Sequence, residues 1–188
     1  KPEDLSLIFN SKSISYDKND EQHFNLISAL HKSLRASDTD AALYWLARML
    51  VSGEDPNYIL RRLTRFANED IGLSEPNAIL MAISTWQAFE RLGSPEGDLS
   101  IAQLVIYLST CPKSNSTYKA WNNVKSFVKE HPYESPPMSI LNAPTKLMKD
   151  IGYGKGYMYD HHAVDAFSGQ NCFPEKVDRQ TFYKPIER

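Results

Sequence analysis

The sequence predicts an all-α protein: a helical bundle with an extended C-terminal region rich in aromatic residues and glycine. Apolar residues recur at spacings of three and four from Glu21 to about His131, as in amphipathic helices. Start signals of Ser, Asp and Pro and stop signals of Gly divide this stretch into separate helices. From Pro132 onward the periodicity is lost. The chain has 188 residues, 41% of them hydrophobic, which is enough for one substantial core.

The first predicted helix covers residues 21–36, and one face of it carries Phe24, Ile27, Leu30, His31 and Leu34. Asp38 is suited to cap a second helix, residues 39–51, because a carboxylate accepts hydrogen bonds from free amides at a helix start. Gly53 is expected to end that helix, since glycine adopts the left-handed conformation without steric cost.

Asp55 and Pro56 form an N-cap and first-turn pair that opens a third helix. The residues of this helix expected to face inward are Ile59, Leu63 and Phe66. The run 74–76 (SEP) predicts the start of a fourth helix, and Gly93 its end. This fourth helix is rich in large apolar residues, namely Ile79, Ile83, Trp86 and Phe89.

The run 94–96 (SPE) repeats the start signal for a fifth helix. Residues 101–108 are apolar nearly all round, so this helix is expected to be the buried centre of the domain, and Pro112 to end it. Ser114 is suited to cap a sixth helix carrying Tyr118, Trp121, Val124 and Val128. All three tryptophans lie in helical patterns and are expected in the core: Trp45, Trp86 and Trp121.

One short helix is predicted in the C-terminal region, from Ala143 to Lys149. The chain after Gly152 lacks periodicity but holds too much aromatic area for a solvated tail. We expect it to pack as extended chain along the helical body or along a neighbouring copy. The candidate residues for such an interface are Tyr153, Tyr157, Tyr159, Phe182 and Tyr183.

The net charge of −2 gives no global attraction to nucleic acid. The charge is uneven, however: residues 1–112 hold 10 Lys and Arg against 15 Asp and Glu, a net of −5. Residues 113–188 hold 11 against 8, a net of +3. This asymmetry could draw one half toward a polyanion or toward the acidic half of another copy, although a solvated surface is the more common explanation.

No apolar run approaches the roughly 20 residues that cross a bilayer, so no membrane partner is expected. Cys111 and Cys172 are too few for a secreted disulfide scaffold, and reduced thiols in a cytoplasm are the simpler interpretation. Neither has a local sign of activation as a nucleophile. Because the chain opens at Lys1 within a polar stretch, we expect a larger parent protein.

The glycine-rich run 152–156 (GYGKG) is the most suggestive loop, but its spacing fits neither a phosphate loop nor a dinucleotide-binding turn. A structural turn after a helix is the favoured interpretation, with a phosphate contact by Lys155 as the alternative. The run 160–162 (DHH), with Asp165 nearby, resembles a metal-ligand cluster. Adjacent histidines point in different directions and no third His or Cys follows, so polar surface residues are favoured.

Arg61, Arg62 and Arg65 share a helical stripe with Tyr58. This stripe could contact phosphates of DNA. Glu69, however, follows Arg65 by four residues, the spacing of a helical ion pair, so structural or interface pairing is the favoured alternative.

Ten strings together resemble the C-terminal region of the RarA/MgsA family of AAA+ ATPases, which includes the Werner-helicase-interacting protein of eukaryotes. They are 16–18 (YDK), 23–33 (HFNLISALHKS), 40–49 (DAALYWLARM), 53–56 (GEDP), 69–72 (EDIG), 90–97 (ERLGSPEG), 112–115 (PKSN), 142–148 (NAPTKLM), 152–157 (GYGKGY) and 182–185 (FYKP). They span nearly the whole chain. The chain departs from the family at Leu141, where Arg is expected, and at Cys172, where an aromatic residue is common.

The resemblance implies a helical oligomerisation domain similar to the collar of sliding-clamp loaders, and a homotetramer. Residues 1–16 correspond to the end of a AAA+ lid or to a linker, 17–131 to the oligomerisation domain, and 132–188 to an extension packed on it. The implied parent is a DNA-dependent ATPase that acts at stalled replication forks, in recombination and repair. ATP and Mg²⁺ would bind in its separate ATPase domain, and no catalytic, cofactor or metal residue is expected here.

The implied partners are other copies of the chain, DNA through the parent, and single-strand-binding protein or other replication proteins. The implied location is cytoplasmic, on the nucleoid in a bacterium. Two other hypotheses stay open on the residues alone. One is a DNA-binding module built on the arginine stripe and the basic C-terminal half, and the other is a metal-dependent hydrolase centred on Asp160, His161 and His162.

Overall fold

The computed structural model describes residues 23–186, and these residues form seven α-helices with short 3-10 and π-helical turns and no strand. The all-α prediction is therefore confirmed. The segment predicted as lid or linker, residues 1–16, and the predicted helix start at Glu21 lie outside the described residues. The helices are α1 (23–35), α2 (Thr39–Val51), α3 (Pro56–Phe66), α4 (Asn77–Leu92), α5 (Asp98–Thr110), α6 (Ser116–Glu130) and α7 (Lys146–Ile151).

The predicted caps of α2 and α3 are confirmed. The Asp38 carboxylate accepts the amide of Ala41 at 3.0 Å, and the Asp55 carboxylate accepts the amide of Asn57 at 2.9 Å. Gly53 follows α2 with φ +80°, the left-handed conformation expected of it. These signals are correct because a cap depends only on residues within one turn of the helix end.

The chain divides into two compact units, and the division falls within α6. The described part of the first unit comprises residues 23–119 and 185–186. The second unit is Ala120–Lys184. None of the helices in residues 23–186 combines the length and the apolar content needed to cross a bilayer.

The hydrophobic core of the first unit is organised around α5. This helix packs against α2 and α4, and α3 packs on α4. The apolar side chains of α5 that are fully buried are Ile101, Leu104, Val105 and Leu108. The inward residues predicted for α3 are also correct, since Ile59, Leu63 and Phe66 are each 0% exposed.

The outer side of α5 does not follow the prediction of burial all round. Leu99 is 76% exposed and Ile106 is 44% exposed. Phe24 on α1 is likewise 64% exposed rather than inward. In both cases the neighbouring helices cover one side of the helix only, and an apolar residue beyond that side stays open to solvent.

A π-helical turn, Ala67–Ile71, extends α3 and changes the direction of its side chains. The wider turn makes Asp70 a buried residue and Glu69 a partly exposed one. It ends at Gly72, whose φ of +53° lies in the left-handed region that favours glycine. The turn therefore places a carboxylate at the edge of the core.

The second unit is held together by aromatic rings and loop hydrogen bonds. The ring of Phe127 on α6 contacts the rings of His131, Phe173 and Phe182, with centroids 4.2–6.0 Å away. In contrast, Trp121 on the same helix is 60% exposed, so its predicted place in the core is wrong. Trp45 and Trp86 do pack against the core of the first unit, as predicted.

Candidate interaction surfaces

An ion pair joins α1 to the π-helical turn of the first unit. Nε of Arg35 donates to one oxygen of Asp70 at 2.6 Å, and the terminal nitrogen NH2 to the other at 3.0 Å. These hydrogen bonds raise the pKa of Arg35. The Asp70 side chain is only 11% exposed, so this two-point contact fixes the helix and the turn together. No local spacing signals the pair, because its members are far apart in sequence.

His31 lies beside this ion pair, with its ring edge-on to Phe66 at a centroid distance of 5.6 Å. Burial, followed by the nearby charge of Arg62, lowers the pKa of His31 to about 4. The imidazole is therefore neutral at pH 7. Among residues 23–186, Nε2 of His31 and Nε of Arg62 are both buried without a hydrogen-bond partner.

The three arginines of the predicted stripe lie in three different environments. The guanidinium of Arg61 is exposed and stacks over the ring of Tyr58, 5.2 Å from its centroid. Nε of Arg65 donates to a Glu69 oxygen at 2.7 Å, which raises the pKa of Arg65, and the pair has the spacing expected from the sequence. Arg62 is partly buried against His31. Of the three, only Arg61 is both exposed and away from any carboxylate of the described residues.

An apolar groove runs along the exposed side of α5. It has a volume of about 550 Å³ and is lined by Met81, Leu99, Ala102, Gln103, Ile106, Tyr107 and Thr110. The sequence carried a signal for this surface, because α5 is apolar on all sides. By itself, that signal predicts burial within one chain. An exposed apolar groove of this kind is a candidate contact surface for another molecule.

The tail residues predicted as an interface separate into two groups. Tyr157, Tyr159 and Tyr183 are 49%, 51% and 46% exposed. Tyr153 and Phe182 are partly buried, and the Phe182 ring lies 5.4 Å from that of Phe127. The first group is therefore open to a second molecule, whereas Phe182 already takes part in the aromatic cluster of its own unit.

The glycine-rich run 152–156 is a structural turn at the end of α7, as the favoured interpretation predicts. Gly152 ends the helix with φ +104°, and the amide of Gly154 donates to the carbonyl of Met138 at 2.9 Å. A Cβ on Gly154 would lie 3.3 Å from the carbonyl oxygen of Leu141, so the turn has little room for a side chain. Lys155 is exposed, and its contact with a phosphate stays a prediction.

The carboxylate of Asp160 closes a loop of the second unit. One of its oxygens accepts both the amide and the hydroxyl of Ser168, at 2.9 and 2.6 Å, and these bonds lower the pKa of Asp160. The rings of His161 and His162 lie beside that of Tyr159. Within the described part of the chain, no three potential metal ligands come together. The geometry of this loop therefore gives the hydrolase hypothesis no support.

The two cysteines are both free thiols. Burial raises the pKa of the Cys111 thiol, the opposite of what an activated nucleophile requires. Cys172 is exposed on the second unit.

Comparisons with known proteins identify relatives along the whole chain. Residues 36–188 match the family described as the C terminal of the MgsA AAA+ ATPase, and residues 1–35 match the family described as AAA C-terminal domain. The chain is 48% identical over 174 residues to the replication-associated recombination protein A of Coxiella burnetii, covering 92% of this chain and 40% of that protein.

Two further relatives extend the match. The protein of the same name from Escherichia coli K12 is 42% identical over 189 residues, which covers 100% of this chain and 42% of that protein. The ATPase WRNIP1 of Dictyostelium discoideum is 41% identical over 173 residues, or 92% of this chain and 20% of that protein. The chain thus spans about two fifths of the length of the two bacterial relatives and one fifth of the length of the Dictyostelium relative. It belongs to the family of MgsA AAA+ ATPase C-terminal domains.

Proposed function

We propose that this chain is the self-association domain, and specifically the tetramerisation domain, of a replication-associated recombination and repair AAA+ ATPase. The names of its relatives support that role for the parent, which would act on DNA at stalled forks, with ATP and Mg²⁺ bound in a separate domain. Single-strand-binding protein and other replication proteins are the partners proposed for the parent. The observation that carries self-association is the uncovered apolar side of α5.

The energetic argument starts from the side chains of that groove. Leu99 and Ile106 expose apolar area to water, and its burial is favourable by about 25 cal/mol per Å². The opposite charges of the two parts of the sequence, −5 for residues 1–112 and +3 for residues 113–188, favour contact between unlike parts of neighbouring copies. Head-to-tail contacts generate a closed ring when the rotation between neighbouring copies closes, and a four-membered ring is the proposed assembly.

Light scattering coupled to size exclusion at micromolar concentration tests the proposal directly. The chain has a mass of 21.4 kDa, and a particle of about four times that mass is expected. A particle of about twice that mass would show that the assembly is a dimer and not a tetramer. A mass equal to one chain would refute self-association.

Replacing Tyr157 by Ala is expected to shift the protein toward smaller particles and to leave the helical circular dichroism intact. Tyr157 is 49% exposed, so its ring is open to a neighbouring copy. Tyr153 is partly buried, and Tyr153→Ala is expected to act in the same direction. Tyr133→Ala is the control, since that ring is 93% exposed and outside the predicted set. Unfolding of the tyrosine variants would instead assign these rings to the core of the second unit.

A DNA-binding module is the second candidate, favoured by the exposed guanidinium of Arg61. If the stripe contacts phosphates, replacing Arg61, Arg62 and Arg65 together by Ala should weaken DNA binding and lower its salt dependence. Each lost contact lowers the slope of log affinity against log salt by about 1. We expect weak binding and a decrease nearer 1 than 3, because Glu69 engages Arg65. A titration series between low and high salt measures this slope, and no binding at low salt would remove the candidate.

A further inference from the structure

The second unit exposes a tryptophan with lysines beside it on α6. Trp121 is 60% exposed, whereas Phe127, on another side of the helix, packs against the ring of Phe182. Nζ of Lys125, one turn further along, lies 5.8 Å from the centroid of the Trp121 ring. Lys129 is exposed one turn beyond Lys125. The helix therefore presents a large flat ring followed by a line of cations.

We infer that this face of α6, formed by Trp121, Lys125 and Lys129, binds single-stranded DNA. A base stacks on the indole, and the two ammonium groups contact the phosphates that follow it. Stacking on an aromatic ring combined with cations along the backbone is the general chemistry of single-strand binding. The lysines are four residues apart, or about 6 Å along the helix axis, so both lie on the same side of the ring.

The chemistry favours a single strand over a duplex. In a duplex both faces of each base are already stacked on neighbouring bases, so the indole would find no free base to cover. The ammonium of Lys125 lies near the limit of about 6 Å for an effective cation–π contact, so it can turn toward a phosphate at small cost. The choice of DNA over RNA rests on the proposed function of the parent.

A protein partner fits this face less well than a nucleic acid does. The cores of protein interfaces are depleted of lysine, because an ammonium group must lose its water there. Here Lys125 lies over the ring and Lys129 is exposed one turn beyond it. Most of the lining of the groove on α5, in contrast, is apolar, so this groove is the better contact surface for a second copy of the chain.

Fluorescence anisotropy with a labelled oligothymidylate at low salt tests the inference on the 188-residue chain. Trp121→Ala is expected to weaken binding about tenfold without changing the salt slope, because it removes a stacked base and no charge. Lys125→Gln and Lys129→Gln are each expected to lower the slope by about 0.7. Trp121→Phe should retain most of the affinity, because a smaller ring still stacks.

Intrinsic fluorescence gives a second readout. Trp45 and Trp86 are partly buried, so quenching by unlabelled oligothymidylate should come from Trp121 and be lost in Trp121→Phe. Tyr133→Ala removes an exposed ring from the same unit and is expected to bind like the unchanged protein. A duplex of equal length should bind more weakly than the single strand.

The inference would be overturned if Trp121→Ala bound the single strand with the same affinity as the unchanged protein. It would also be overturned if the single strand did not bind at low salt, or if oligouridylate bound more tightly than oligothymidylate. A Trp121→Ala variant that changes the particle mass but not DNA affinity would show instead that this face joins copies of the chain. Light scattering on the same samples separates the two proposals. A monomer whose DNA binding depends on Trp121 would refute self-association alone.

Discussion

Replacing Ile106 by Glu is expected to convert the assembly into single chains of 21.4 kDa. Ile106 lines the apolar groove on α5 and is 44% exposed, so a glutamate there stays hydrated as long as the chain is alone. In an assembly that covers the groove, the same carboxylate would be buried without a partner, which costs several kcal/mol. The monomer should therefore keep its fold while the association is lost.

Light scattering gives the particle mass of this variant, and circular dichroism checks that its helices are retained. Gln87→Glu is the matched control, because it adds the same charge to an exposed position of α4 outside the groove lining. The control is expected to keep the mass of the unchanged protein. An Ile106→Glu variant that also keeps this mass would show that the groove is not the contact surface.

Acidification from pH 7 to pH 5 is expected to destabilise the first unit by about 2 kcal/mol through His31 alone. The pKa of His31 is about 4 in the folded chain against 6.5 for an ordinary histidine. As the pH falls below 6.5, the unfolded chain binds a proton that the folded chain excludes, so stability is lost progressively until about pH 4. Above 6.5 the imidazole is neutral in both states and this contribution is complete.

Urea unfolding at the two pH values, with the unchanged protein and His31→Leu, measures this effect. Leucine fills the site without a titrating group, so the variant should lose about 2 kcal/mol less between pH 7 and pH 5. Leu34→Ala is the control on the same helix, because it removes a buried apolar side chain and leaves His31 in place. It should lower stability by similar amounts at both pH values. Equal pH dependence in the unchanged protein and His31→Leu would contradict the prediction.

The positions of the helices were accessible from the sequence because their signals are local, although α7 begins at Lys146 and not at the predicted Ala143. Asp38 and Asp55 cap α2 and α3 through hydrogen bonds to amides two or three residues away. Gly152 ends α7 for the equally local reason that glycine accepts a left-handed conformation. The ion pair of Arg65 with Glu69 also follows from spacing along one helix. Such contacts form between neighbours in sequence whatever the rest of the chain does.

The side of each helix that is covered depended on the tertiary structure. Periodicity placed Phe24 and Trp121 on apolar faces, yet both are largely exposed, because a face is buried only where another element lies against it. The same reason explains the open side of α5: its apolar residues are expected from the sequence to be buried, but no element of the described first unit covers Leu99 and Ile106.

The contacts of Arg35 with Asp70 and the neutral state of His31 also required the tertiary structure. Arg35 and Asp70 meet because a π-helical turn redirects the chain after α3, and nothing in the spacing of the residues announces that turn. The sequence by itself therefore determined the family, the all-α class and the caps of α2 and α3. The three-dimensional packing alone decided which distant charges pair and which histidine is buried. It also decided which rings and apolar side chains remain exposed and able to bind another molecule.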